Sequence, residues 1–115
     1  MAERRMIKRS VITEGAFRAL SSATQMLYLH MMLGADDFGL VSCGRQYARS
    51  MGYNPKRLDE LCEIGYLIQF ASGVYAITHW NEHNKMGRVK HRTNSHPDIL
   101  TQLSTDEQGR YVTAY

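Results

Sequence analysis

The chain has 115 residues, 43% of them hydrophobic and 22% charged, with a formal net charge of +3. That length suits one compact domain, and the composition excludes a disordered or low-complexity chain. No apolar run reaches the ~18 residues of a membrane span, and the opening residues lack the apolar core of a signal peptide, so a cytoplasmic protein is expected.

Charge is unevenly placed. Arg4, Arg5, Lys8 and Arg9 form one basic cluster, and Lys85, Arg88, Lys90 and Arg92 form a second. Neither contains an acid. Basic ends around a balanced body point to a polyanion or an acidic partner, against the plainer reading of solvated termini. Cys43 and Cys62 lack metal-ligand or CxxC spacing and fit a reducing compartment, Cys62 as a buried thiol on a helical stripe.

Residues 6–12 mix apolar and basic side chains and read as an extended arm or strand. Thr13 caps a short helix over 14–20. Ser21 or Ser22 caps the strongest helix, 23–34, whose apolar residues recur at helical spacing around Met26, Leu27, Leu29, His30 and Leu33. Tyr28, Met31 and Met32 widen that face, so burial on more than one side is expected. Gly34 is expected to end the helix. Asp36-Asp37-Phe38-Gly39 reads as a turn, with Asp accepting backbone N–H bonds and Gly39 at positive φ; no further ligands follow to make a metal loop. A short strand over 39–42 comes next.

A second helix over 44–51 turns Tyr47, Ala48 and Met51 inward and Arg45 and Arg49 outward. Asn54 caps a third helix, with Pro55 at its first position, Leu58, Leu61 and Cys62 inward, and Gly65 at its end. Strands over 66–70 and 74–78 flank the turn Ala71-Ser72-Gly73 and form a hairpin. His79 and His83 have the spacing of helical metal ligands but no third ligand, so turn bonds are the stronger reading, with Trp80 packing the hairpin onto the helices. In the tail, Ile99, Leu100 and Leu103 read as one helical turn and 111–115 as a short strand, ordered only against another surface.

Helix, strand, helix, helix and hairpin is the order of a winged helix-turn-helix, a mainly α fold with a small β-hairpin (α+β). The expected division is a winged-helix domain with its arm over 1–84 and a basic extension over 85–115. Phosphate-loop, dinucleotide, nucleophile-elbow and zincin motifs are missing, so neither an enzyme nor a cofactor or small-molecule substrate is expected.

The series Ala2-Glu3-Arg4-Arg5-Met6-Ile7, Ala16-Phe17, Thr24-Gln25-Met26-Leu27-Tyr28-Leu29-His30 and Ala35-Asp36-Asp37-Phe38-Gly39 resembles the opening of phage replisome organisers. These are the DnaD-like replication initiation proteins of Gram-positive bacteria, their phages and prophages. The resemblance continues through Phe70-Ala71-Ser72-Gly73-Val74, Ile77-Thr78-His79-Trp80 and His83-Asn84, and covers roughly residues 2–93. In the stretch after His83-Asn84, Arg88, Lys90 and Thr93 keep the family's pattern, while its acid, tyrosine and proline are lost. The resemblance implies a self-associating winged-helix domain in replisome assembly, with DNA, further copies and helicase-loading proteins as partners. It also implies a separate C-terminal domain, so the chain is expected to be part of a longer protein or a short member.

The candidate DNA contacts are Arg4, Arg5, Lys8, Arg9, Arg45, Asn54, Lys56, Arg57, Lys85, Arg88, Lys90 and Arg92. The wing tip carries no cation and the third helix is acidic beyond its first turn, which favours an oligomerisation scaffold with modest, sequence-independent DNA binding. A winged-helix transcriptional regulator is the alternative.

Overall fold

The computed structural model describes residues 4–84 and 96–113. An irregular arm over 4–8 leads into two single-turn helices, α1 (Arg9–Ile12) and α2 (Gly15–Arg18). The expected strand over 6–12 is therefore not formed. Its second half is helical, and its first half is held by side chains of a later helix.

The central helix α3 (Ser22–Gly34) starts where Ser21 accepts the Thr24 N–H at 3.2 Å. It buries Leu27, Tyr28, Met31 and Met32. Met26 and Leu33 stay about half exposed, so the helix is covered on one side only, against expectation. Gly34 is its last residue rather than its cap; a side chain there would stand 2.5 Å from the Tyr47 ring. Close packing explains that glycine.

The chain then enters β1 (Leu40–Val41), α4 (Gly44–Ser50) and α5 (Arg57–Glu63). Met51, expected to point inward, is exposed just past α4. Asn54 does not cap α5 directly. Its side chain accepts the Lys56 N–H at 3.0 Å, and i→i−3 bonds over 54–59 lead into the helix. Strands β2 (Leu67–Gln69) and β3 (Tyr75–Ile77) follow, then α6 (Trp80–His83), α7 (Pro97–Leu100), β4 (Leu103–Thr105) and β5 (Tyr111–Thr113).

β1, β2 and β3 form one antiparallel sheet in the order β1-β3-β2, with Leu40 opposite Ala76 and Ile68 opposite Ala76 on the other side. The outer edge of β1 is sealed by Asp36. Its backbone N–H donates to the Leu40 carbonyl at 2.9 Å, and its carboxylate accepts the Leu40 N–H at 3.0 Å. Satisfying both groups removes a template for further pairing. Gly39, at φ +82°, makes the turn, as its sequence context predicts.

β3 is buried on both faces. Tyr75 and Ile77 join the main core with α3 and α5 residues. Leu40, Val74 and Ala76 form a second core with Ile99, against which Leu100 and Leu103 pack. Residues 96–113 thus cover the outer face of the sheet and belong to the same α+β body. Their apolar residues find their covering surface within the chain, on the sheet. Tyr111 fixes the β4–β5 hairpin by donating its backbone N–H to the Thr78 carbonyl and its hydroxyl to the Phe38 carbonyl. The Ser42 hydroxyl and His96 Nε2 lie 2.6 Å apart at the other end of the segment.

Ile99→Ala is expected to lower the unfolding free energy by about 2–4 kcal/mol, the usual cost of a buried Ile truncation. Val112→Ala, on the exposed side of β5, should change it by less than about 0.5 kcal/mol. Denaturant unfolding checks both, and an unaltered midpoint for Ile99→Ala would refute the second core.

Candidate functional site

The predicted cations divide sharply in their surroundings. Arg5 is turned inward, with its side chain 4% exposed. It donates to the Asp37 carboxylate at 3.2 Å and the Ala35 carbonyl at 3.0 Å, and its guanidinium lies 4.9 Å from the centre of the Trp80 ring. This corrects its reading as a phosphate contact: its charge already has an anion, a carbonyl and an aromatic face. Arg4 and Arg9 are exposed. Lys8 is half exposed and reaches Glu82 at 3.4 Å.

On the helix-turn-helix face, Arg57 donates to the hydroxyls of Ser21 at 2.8 Å and Thr24 at 3.2 Å. The Thr24 hydroxyl in turn donates to Glu60 at 2.6 Å. Arg45 stands 3.5 Å from Asp59. The Asn54 side chain is engaged in its own turn. Lys56 and Arg49 are exposed. Four of the charged side chains of this face therefore join α5 to α3 and α4. Lys85, Arg88, Lys90 and Arg92 lie outside the described residues.

The densest polar arrangement was not foreseen. It gathers the arm, α3, α6 and the β4–β5 turn around His83. His83 Nδ1 accepts the Lys8 backbone N–H at 2.8 Å, and Nε2 lies 2.7 Å from the Tyr28 hydroxyl. An accepting Nδ1 carries no proton, so the neutral ring has its proton on Nε2 and donates it to Tyr28. The neighbouring Asn84 side chain accepts the Met6 N–H at 2.9 Å. Glu82 binds Lys8 on one side and Arg110 on the other. The Tyr66 hydroxyl reaches both the Val11 carbonyl and the Glu14 carboxylate, and its ring lies 4.5 Å from that of His79. Burial raises the pKa of Tyr28 and Tyr66, so both hydroxyls stay protonated, that of Tyr28 accepting from His83 and that of Tyr66 donating.

With both ring nitrogens of His83 committed, the His79/His83 spacing serves packing. Among the described residues, no group of three metal-ligating side chains is assembled. Burial pushes the Cys62 thiol up to about 11; the side chain, expected to be buried, is half-buried. The sequence offered one signal for the polar cluster, the His-Trp-Asn-Glu-His-Asn run. Its partners Lys8, Tyr28 and Arg110 lie too far along the chain for spacing to reveal them.

No family model, curated protein or solved structure matches the chain. No helix among the described residues is long and apolar enough to cross a membrane.

Burial first, then His79, holds the His83 pKa down at about 4. Above about pH 6.5 the folded and unfolded chains are both neutral at this position. Below it the unfolded chain takes up a proton that the folded ring refuses, so stability falls from about pH 6.5 towards pH 4. The slope approaches ~1.4 kcal/mol per pH unit, for a total on the order of 3 kcal/mol. His79, also depressed chiefly by burial, adds to the same trend. Unfolding curves at several pH values should show His83→Gln with a shallower decline than the parent. An equal slope in both would remove His83 as its source.

Proposed function

We propose that this chain is a winged-helix domain of the DnaD-like replisome-organiser kind, a self-associating, non-enzymatic scaffold with modest sequence-independent affinity for DNA. The observation that carries the reading is the arrangement of α4, turn and α5 beside a β1-β3-β2 sheet, in the order that the helix and hairpin signals of the sequence predict for a helix-turn-helix and wing. The order of motifs supplies the family, and the surface chemistry supplies the mode of action.

A base-reading helix needs free side chains along the face it inserts into the groove. Here Arg57 and Glu60 are tied to α3, and Arg45 is beside Asp59. The hairpin tip at Ala71 and Ser72 is exposed and uncharged. Phosphate contact falls instead to Arg4, Lys8 and Arg9 on the arm and α1, to Lys56 and Arg49, and to the basic sequence over 85–92. Such contacts position a protein on nucleic acid without selecting sequence. Assembly with loading proteins follows from the same family reading.

Affinity for mixed-sequence duplex, measured by fluorescence anisotropy, should fall roughly 100-fold between 50 and 200 mM salt if about four phosphates are contacted. Arg4→Ala combined with Arg9→Ala should weaken binding and reduce the slope of log K against log salt by about 2. Arg57→Ala should affect stability more than affinity. Absence of binding at low salt, or an affinity indifferent to salt, would overturn the DNA-binding part of the proposal.

A further inference from the structure

Helix α3 carries no charged residue over its whole length, Ser22 to Gly34. Its buried seam is Leu27, Tyr28, Met31 and Met32. A second apolar seam, Met26, Leu29 and Leu33, lies on the side that the other described residues leave open. Met26 is 48% exposed and Leu33 51%. The spacing of three and four residues is that of a helix–helix seam, and a helix apolar on all sides is ordinarily covered on all sides.

The arm extends this surface. Ile7 lines a hollow of about 260 Å³ with Met26, Leu29, His30 and Leu33. Ile7 and Met6 are themselves 43% and 55% exposed. Arg5 also borders the hollow, but its charge is already matched by Asp37. Three features therefore coincide: a continuous apolar strip, no unmatched charge along its helix, and methionine side chains that adapt to a facing surface.

From these features we infer that the exposed seam of α3, flanked by Ile7, is where a second copy of this chain docks, with the two α3 helices antiparallel across a two-fold axis. This inference rests on the self-association reading above and names its surface. A two-fold interface sets each residue against itself or its near neighbours, so charge on the strip would repel its own image. An uncharged helix escapes that penalty. Antiparallel pairing also opposes the two helix dipoles. With the axis between Leu29 and His30, Met26 of one copy faces Leu33 of the other. The strip is short, so the association is expected to be weak and concentration-dependent.

Multi-angle light scattering of the whole chain from about 5 to about 200 µM tests it, a range that brackets micromolar affinities. The parent mass should rise from monomer towards dimer. Met26→Lys and Leu33→Lys should each weaken dimerisation at least ~10-fold, while Val112→Lys, an exposed apolar position on β5, leaves it unchanged. A second measurement covers variants that fail to fold. In a Cys43→Ser background, Met26→Cys with Leu33→Cys should give a covalent dimer on mild oxidation, and neither exchange alone should. A parent that stays monomeric overturns self-association as a whole. A parent dimer that both lysine variants leave intact overturns this surface only. Cross-linking by either single variant overturns the antiparallel arrangement.

Discussion

The indole of Trp80 is the contact on which the remaining structure depends. It is fully buried, and its Nε1 donates to the Asp37 carbonyl at 3.0 Å. Gly39 approaches the ring so closely that a Cβ would stand 2.5 Å from it. The Arg5 guanidinium lies over the ring and is held by Asp37 and Ala35. One side chain thus joins the arm, the turn before β1 and α6. The two aspartates divide their duties: Asp36 closes the edge of β1 and Asp37 neutralises Arg5. A paired carboxylate motif that looks reactive in isolation is occupied by the backbone and by an ion pair, where removing one partner would leave a buried charge.

Fixing the arm in this way governs which charges face solvent. Arg5 turns in, while Arg4, Lys8 and Arg9 remain outside. The same economy operates on α5, where Arg57, Asp59 and Glu60 reach α3 and α4. Charges used to hold two helices together are poor readers of base edges, because breaking their present contacts offsets much of any new one. This is the basis for proposing a platform whose basic ends, rather than α5, would meet nucleic acid.

Local periodicity and turn chemistry made most of the element order legible. The Ser21 cap, the Gly39 turn and the hairpin each follow from a few adjacent residues, and β1, β2, β3 and β5 fall within the predicted runs, whereas Leu103, expected in the helical turn of Ile99 and Leu100, opens β4. What escaped depends on contacts distant in sequence. Residues 6–12 have the composition of a strand, but the Met6 and Lys8 N–H groups find Asn84 and His83, and the following turn coils. Met51 and Leu33 lie on apolar stripes wider than the surface available to cover them. The tail was legible as helix and strand segments, yet the surface it needed, the outer face of β3, was visible only once the sheet had formed. Arg5 shows the same limit for the candidate contacts: a run of cations does not disclose which one has an acid waiting across the fold.

The tail closes one face of the sheet and Asp36 closes one edge, which leaves the seam of Met26 and Leu33 on α3 as the main exposed apolar surface among the described residues. The arm crosses beside it. Ile7 contributes to the hollow there, while Arg4, Lys8 and Arg9 stay exposed on the same short segment. Pairing two copies at α3 would bring two such segments into one assembly and double the cations offered to a single nucleic acid. Counterion release scales with the number of phosphates neutralised, so affinity per assembly would rise and its salt dependence would steepen. The two halves of the proposed function, association and DNA contact, would thereby be coupled through the arm: each copy's weak phosphate binding would gain from the other's proximity, with no base-reading helix required.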